Sequence, residues 1–142
     1  MPPSSTKSKN AAHAFVALQR VAGLFLEQLA ELLAPYNITS QQFNVLRILR
    51  GAGDDGLACA EISKRMITKD SDITRLLNRL EKLKLIVRKR LKTDRRVILS
   101  RVTDQGLLLL KQLDKPVVEL HRKQFRKLSS PDKFIAELAA LA

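Results

Sequence analysis

Residues 70–101 read DSDITRLLNRLEKLKLIVRKRLKTDRRVILSR, and this stretch decides the fold of the chain. Its first part repeats leucines at helical spacing, which predicts an amphipathic helix. Its second part has two runs rich in Val, Ile and Leu, 85–91 and 97–102, and the polar segment between them predicts a β-hairpin. Between Glu61 and Arg101 there are fourteen Lys or Arg and five Asp or Glu, so +9 of the total net charge of +12 lies here. The predicted helix and hairpin are therefore both cationic.

The predicted helix has an apolar face and a polar face when successive residues are placed about 100° apart. The apolar face consists of Ile73, Leu76, Leu77, Leu80 and Leu83. The polar face consists of Ser71, Thr74, Arg75, Asn78, Arg79 and Lys82. A solvated helix face usually mixes both signs of charge, whereas this one carries cations and no acid near its centre. Because Arg and Asn pair with guanine and adenine edges in the major groove, this face is predicted to bind double-stranded DNA.

A helix-turn-helix is predicted because a short helix over 57–66 and a turn over 67–69 precede the amphipathic helix. Asp70 or Ser71 is suited to the N-cap of that second helix. The hairpin tip, residues 92–96, reads KTDRR, and arginine at a hairpin tip can enter the narrow minor groove of DNA. Helix-turn-helix and hairpin together predict a winged helix.

Helices are also predicted on both sides of this region. An apolar seam with alternating spacings of three and four predicts a first helix that packs against another helix, from the same chain or from a second copy. Its members are Phe15, Leu18, Ala22, Phe25, Leu29 and Leu32. Pro35 ends this helix, and Thr39 with Gln42 predicts a capping box for the next one. In the long helix that follows Thr103, Pro116 predicts a kink or a break into two helices.

The predicted class is therefore mainly α (α+β), with three parts. Residues 1–10 are polar and rich in Pro, Ser, Lys and Asn, as in a disordered arm. Residues 11–34 and 103–142 form a helical region, and residues 35–102 form the winged helix-turn-helix lobe.

Composition restricts the function further. The net charge of +12 predicts a polyanionic partner, and five Phe, one Tyr and no Trp argue against single-strand binding on aromatic platforms. No apolar run reaches 18 residues and the N-terminus has no apolar signal segment, so the protein is expected in the cytoplasm and not in a membrane. The single cysteine, Cys59, has no partner for a disulfide or a metal site. It is interpreted as a small semi-buried residue, with a redox-sensing thiol as the alternative.

Five segments of the chain resemble the MarR family of bacterial winged-helix transcription regulators. They are AEI at 60–62, SDITRLLNRLE at 71–81, LIVR at 85–88, DRR at 94–96 and VTDQG at 102–106. The wing is the most specific of them, because a Thr-x-x-Gly helix start follows Arg96 by seven residues.

The resemblance implies a homodimer in which N- and C-terminal dimerisation helices interlock and two winged lobes bind a pseudo-palindromic operator. It implies DNA contacts from the recognition helix, at Ser71, Thr74, Arg75, Asn78 and Arg79. It also implies contacts from the wing, at Arg88, Lys92, Asp94, Arg95 and Arg96. In the family the wing aspartate orients a neighbouring arginine, and the arginine two residues on reaches the minor groove. A small phenolic or lipophilic effector and a role as repressor are further implications.

Two positions depart from the family pattern. Lys84 stands where many relatives have a glycine that ends the recognition helix in a left-handed turn, so the turn is predicted to be strained, differently shaped or non-helical at its end. Ala58 stands where a Ser or Thr often caps the preceding helix, so that helix is predicted to lack a side-chain cap.

Two other functions share the same charge and fold. A non-specific architectural DNA-binding protein would show no sequence preference, and a winged-helix interaction module would bind an acidic protein. An enzyme is not predicted, because the chain has no Gly-rich phosphate loop, carboxylate pair or His-centred triad, and no cofactor or metal is expected.

Overall fold

The computed structural model describes residues 5–69 and 72–142, which form a mostly helical fold with one small sheet. Its elements are α1 (Ser5–Leu33), α2 (Ser40–Ala52), β1 (Leu57–Ala58), α3 (Cys59–Arg65), α4 (Ile73–Lys82), β2 (Ile86–Arg90), β3 (Ile98–Val102), α5 (Asp104–Gln124) and α6 (Pro131–Ala139). This order contains the predicted helix-turn-helix, α3 and α4, and the predicted hairpin, β2 and β3. The predicted fold class is confirmed.

The first helix begins earlier than the sequence predicts. Residues 5–10 of the expected disordered arm belong to α1, and residues 1–4 lie outside the described part of the chain. Pro35 lies in a short 3-10 turn directly after α1. The capping box of α2 is confirmed, because Thr39 Oγ1 accepts from the amide of Gln42 at 3.2 Å and Gln42 Oε1 accepts from the amide of Thr39 at 2.9 Å.

The sheet has a third strand that the sequence did not predict. Its order is β1–β3–β2, both pairs are antiparallel, and Leu57 and Ala58 pair with Ser100 and Leu99. The prediction that a helix begins at residue 57 is therefore wrong, and α3 begins at Cys59. A strand of two residues is too short to show alternation. Gly56 precedes it at a φ of 71°, and a Cβ there would lie 2.6 Å from the carbonyl oxygen of Ser100, so the chain approaches the sheet only because this residue is glycine.

The turn between α3 and α4 is fixed by side chains of two helices. The amide of Ile67 donates to Asn44 Oδ1 on α2 at 3.0 Å. Asp72 is the N-cap of α4, and its Oδ1 accepts from the amide of Arg75 at 3.1 Å. The prediction that Asp70 or Ser71 is this N-cap is therefore wrong, and both residues lie outside the described part of the chain. Asp72 supplies a carboxylate like that of Asp70, two positions later.

The chain divides into two compact units. The unit Leu33–Pro116 contains the predicted lobe, and its core is formed by fully buried side chains from α2, α3, α4, β2 and α5. They include Val45, Leu46, Leu49, Ile62, Leu80, Ile86, Leu110 and Leu113. Arg50 of α2 donates to both carboxylate oxygens of Asp114 of α5 at 3.0 Å, which ties these helices together.

The other unit consists of Met1–Leu32 and Val117–Ala142. Its aromatic residues meet in one cluster: the rings of Phe25 and Phe125 lie edge to face at 5.1 Å, and Phe134 lies 6.2 Å from Phe125. Gln124 Nε2 donates to the carbonyl oxygen of Phe25 at 3.2 Å and to Gln28 Oε1 at 3.0 Å. These contacts join α1 to the last residue of α5 and to the segments after it.

The long helix α5 continues through Pro116. The predicted break into two helices is therefore wrong. Proline removes one backbone hydrogen bond, and buried apolar residues on either side of it, Leu113 and Val117, keep the helix packed.

Candidate nucleic-acid interface

The two faces of α4 are separated as predicted. Ile73, Leu77 and Leu80 are buried, and Leu76 and Leu83 are half-buried. The opposite face is exposed and carries Thr74, Arg75, Asn78, Arg79 and Lys82. Ser71, the first residue predicted for this face, lies outside the described residues. Core packing of the leucines thus turns a row of donors and cations outward.

Arg88 lies behind this row, on strand β2, and is bonded to α4. Its Nη2 atom donates to Asn78 Oδ1 at 2.7 Å and to Glu81 Oε1 at 2.8 Å. The side chain of Arg88 is 23% exposed, so this contact is partly shielded from water. The hydrogen bond from Arg88 lowers the pKa of the Glu81 carboxyl below its usual 4.5, and the same bond raises the pKa of Arg88.

The end of α4 is a Schellman motif with lysine in the glycine position. Lys84 has a φ of 61°, in the left-handed region. Its amide donates to the carbonyl of Glu81 at 2.9 Å, and the amide of Leu85 donates to the carbonyl of Leu80 at 3.0 Å. These are the two bonds of the motif, and buried Leu80 and Leu85 supply its apolar contact. The turn therefore ends in a left-handed residue, with a side chain where glycine is strain-free.

Thr103 joins this turn to the start of α5. Its hydroxyl donates to the carbonyl oxygen of Lys84 at 2.8 Å and accepts from the amide of Gly106 at 3.1 Å. Its own amide donates to the carbonyl of Leu85 at 3.0 Å. A Cβ on Gly106 would lie 2.6 Å from Val102 Cγ2 and would overlap the carbonyl oxygen of Leu85. The Thr-x-x-Gly sequence therefore has a packing reason: it holds α5 against the end of the recognition helix.

The wing tip is a tight turn closed by its own residues. The amide of Val97 donates to the carbonyl of Asp94 at 3.0 Å. The carboxylate of Asp94 accepts from Arg96 at three atoms, the amide and Nε at 3.1 Å and Nη2 at 3.3 Å. These hydrogen bonds lower the pKa of Asp94, and the side chain of Arg96 remains 91% exposed. The aspartate thus orients Arg96, the arginine two residues on.

The other predicted wing residues lie around this turn. Lys92 and Arg95 are exposed. The carbonyl oxygen of Arg95 accepts from Arg90 Nη1 of β2 at 2.8 Å, which braces the tip against the strand. Arg88 lies apart from them, because it faces α4 and not the tip.

Two predictions about the start of α3 have different outcomes. Ala58 is the N-cap and supplies no side-chain hydrogen bond, as predicted. Cys59, the first helical residue, is an exposed free thiol, so the semi-buried interpretation is wrong.

Across residues 5–69 and 72–142, no three side chains of His, Cys, Asp or Glu come together as a metal site. Within the same ranges, no helix is long and apolar enough to cross a membrane.

A mostly apolar cavity of about 350 Å³ lies beside the end of α4. It is lined by Tyr36, Leu83, Leu85, Gln105, Leu108, Leu109 and Gln112. The sequence did not predict it, because its lining comes from three segments that are far apart in the chain. Four of these seven residues are leucines on α5 and after α4, which the sequence pattern marks only as apolar.

Comparisons with known proteins identify the family. A sequence model of the transcriptional regulator SarA/Rot family matches residues 28–113. The crystal structure of a MarR transcription factor from Planctomyces limnophilus is 33% identical in sequence, with a TM-score of 0.74. The match covers 92% of this chain and 96% of that one. The chain belongs to the MarR family.

This MarR-family protein is also similar to individual regulators. It is 28% identical over 127 residues to the HTH-type transcriptional repressor IacR of Pseudomonas putida, covering 89% of this chain and 75% of IacR. The structure of MepR from S. aureus in complex with DNA has the same fold, with a TM-score of 0.77 at 23% identity over 89% of this chain and 91% of that one. The MarR-family protein is therefore a DNA-binding transcription regulator and not an enzyme.

Proposed function

We propose that this MarR-family regulator binds a specific pseudo-palindromic site in double-stranded DNA as a homodimer and represses transcription there. The observation that carries the proposal is the outer face of α4, where Arg75, Asn78 and Arg79 are exposed while the leucines opposite them are buried. Arginine and asparagine are the side chains best suited to recognising bases in the major groove. Thr74 extends this exposed surface, and Ser71 stays an expected contact outside the described residues.

The wing would contact the neighbouring minor groove. Arg96 is almost fully exposed and held by Asp94, so its guanidinium is oriented before DNA arrives. A narrow minor groove concentrates negative potential and attracts arginine. Lys92 and Arg95 would add phosphate contacts, which contribute affinity but no sequence preference.

A second copy of the chain would cover the exposed apolar side chains of the terminal helices. Phe15 of α1 is 61% exposed and Ile135 of α6 is 62% exposed. Others on these helices are Val16, Leu18, Val21, Leu24, Leu26 and Leu138. These exposed apolar side chains belong to one compact unit, and large exposed apolar patches mark interaction sites. We therefore assign residues 11–34 and 103–142 to the dimerisation region, and a two-fold axis would set the half-sites about 10 bp apart.

Repression and ligand control are proposed from relatives. IacR is named a repressor, and the structure of Bordetella bronchiseptica BpsR concerns regulation of its DNA binding by 6-hydroxynicotinic acid. BpsR has the same fold, with a TM-score of 0.76 at 21% identity over 91% of this chain and 96% of that one. The cavity beside Leu83 and Leu85 is where a small phenolic or lipophilic effector would act on α4. Its volume of about 350 Å³ is within the range of small-ligand sites.

Selection of bound duplexes from a random pool at one physiological salt concentration tests the DNA proposal. The expected result is an enriched palindrome. Arg75→Ala should lower the ratio of operator to random affinity by roughly 5- to 150-fold, because one bidentate base contact contributes about 1–3 kcal/mol. Lys92→Ala is the control, because loss of a phosphate contact should weaken both affinities alike and reduce the salt slope by about 1.

The same selection separates the alternatives. A pool that is bound but not enriched would favour the architectural protein, and a pool that is not bound at all would favour the protein-interaction module. An enriched site whose specificity is unchanged by Arg75→Ala would refute the assignment of the recognition helix.

Sedimentation equilibrium tests the dimer. The protein is expected to have twice the mass of its chain, and the double variant Phe15→Glu, Leu18→Glu should dissociate it because two charges would be buried at the interface. Gln19→Glu, an exposed change on the same helix, is the control and should remain dimeric. A dimer unaffected by the double variant would contradict the proposed interface.

A further inference from the structure

Arg88 fixes the orientation of the Asn78 side-chain amide. One atom of the guanidinium, Nη2, donates to Asn78 Oδ1 at 2.7 Å and to Glu81 Oε1 at 2.8 Å. This nitrogen has two hydrogens, so both are used. Asn78 and Glu81 are three residues apart on α4 and therefore lie on neighbouring positions of one helix face.

The chemistry of the guanidinium decides which amide atom faces it. Arginine has five N–H donors and no acceptor, so the Asn78 atom within 2.7 Å of Nη2 must be the carbonyl oxygen. The Nδ2 group of the same amide then does not face Arg88, and the Asn78 residue is exposed. An asparagine without such a neighbour can turn its amide over and offer either atom.

Glu81 makes this orientation rigid. Its carboxylate forms a charge-assisted bond to the same nitrogen, which is stronger than a neutral hydrogen bond. The Arg88 side chain is only 23% exposed, so water competes weakly for it. Opposite charge at 2.8 Å also neutralises much of the attraction that Arg88 would have for a phosphate.

We propose that Arg88 is a positioning residue that locks Asn78 as a hydrogen-bond donor and so sets the base preference at the position that Asn78 reads. This inference rests on the proposed function and assigns Arg88 a role different from the direct wing contact implied by the family resemblance. Paired recognition of adenine needs both amide atoms, with the oxygen accepting from N6 and the nitrogen donating to N7. One of the two lone pairs of Asn78 Oδ1 is used by Arg88 and the amide is held in one orientation, so Nδ2 is its free donor and the paired contact with adenine is disfavoured. Donors suit O6 and N7 of guanine or O4 of thymine.

Competition binding on operator duplexes tests the lock. The duplexes differ only at the base pair in each half-site whose preference disappears in Asn78→Ala. Arg88→Ala frees the amide and should shift preference at that base pair toward adenine by about tenfold relative to the wild type. Arg88→Gln keeps a polar but shorter side chain that offers an acceptor as well as donors, so it should give the same shift in a variant that retains more packing than alanine.

Three further variants separate positioning from a general loss of binding. Arg88→Lys has only donors and should keep the wild-type preference. Arg90→Ala removes the same charge from the same strand, but its bond goes to the Arg95 carbonyl in the wing, so the preference should stay unchanged. In Asn78→Ala the further change Arg88→Ala should have no effect on base preference, because the residue being positioned is gone.

Different results would contradict the proposed function and the positioning role of Arg88. If the wild type enriches no site from a random pool, the proposed function is wrong and the lock with it. If it enriches a site, but the Arg88 variants weaken binding to every duplex by the same factor, the lock is wrong while the proposed function stands.

Discussion

Replacing Lys84 by glycine is expected to stabilise the protein although no contact is added. The residue has a φ of 61°. Lys84 bonds to Thr103 through its carbonyl oxygen and to Glu81 through its amide. Both are backbone groups, so glycine would keep both hydrogen bonds. A left-handed conformation costs an L-residue about 1–2 kcal/mol. Glycine also gains freedom in the unfolded chain, which offsets about 0.4–1 kcal/mol of that. The net gain in free energy of unfolding is therefore about 0–1.6 kcal/mol, with a central value of about 0.8 kcal/mol.

Urea denaturation and thermal unfolding at one fixed protein concentration measure this gain. For a chain of this length, each kcal/mol gained in free energy of unfolding raises the Tm by about 2–4 °C. Lys84→Ala removes the same charge and keeps a Cβ, so it should not stabilise the fold. Lys82→Gly, two residues earlier in α4, should lose about 1 kcal/mol because that position is helical. Equal stability of Lys84→Gly and Lys84→Ala would refute the strain at this turn.

Three other changes follow from the same region. Thr103→Val should lower the free energy of unfolding by about 1–2 kcal/mol because two bonds of its hydroxyl are lost, and Thr103→Ser should recover most of it in urea denaturation. Ala58→Ser should raise stability by about 0.5–1 kcal/mol by supplying the missing cap of α3, and an unchanged denaturation midpoint would show that the hydroxyl makes no bond there. The lowered pKa of Glu81 means that its charged form stabilises the fold above pH 4.5 and that this contribution is lost as the pH falls through the folded pKa. The free energy of unfolding of Glu81→Gln should therefore fall less than that of the wild type as the pH is lowered below 4.5. If the two plots of unfolding free energy against pH are parallel, the ion pair between Glu81 and Arg88 is contradicted.

The amphipathic helix and the hairpin were predictable because their signals are local. The leucine spacing of 73–83 alone determines which face of α4 is buried, and the structure buries that face. The capping box at Thr39 and Gln42 is equally local, since four residues contain both donors and both acceptors. In each case the residues that cause the structure lie close together in the chain, so the local sequence is sufficient to predict it.

The errors arose where distant segments decide the local structure. Leu57 and Ala58 form a strand only because β3, forty residues later, offers a free edge for pairing. Pro116 does not break α5 because packing on both sides outweighs one lost hydrogen bond. Cys59 is exposed because β1 takes the two residues before it into the sheet and starts α3 later.

The sequence by itself determined the class of the fold, the cationic face of α4 and the wing arginines, because periodicity and charge are properties of the chain. Only the tertiary structure decided that Lys84 is left-handed, since Thr103 and Leu85 hold the turn from outside the helix. It also decided that Arg88 bonds to Asn78 and Glu81 on α4. The sequence shows that a residue is charged but not which way its side chain points. Its direction comes from the strand that carries it and from the acceptors that the packed helix places within reach.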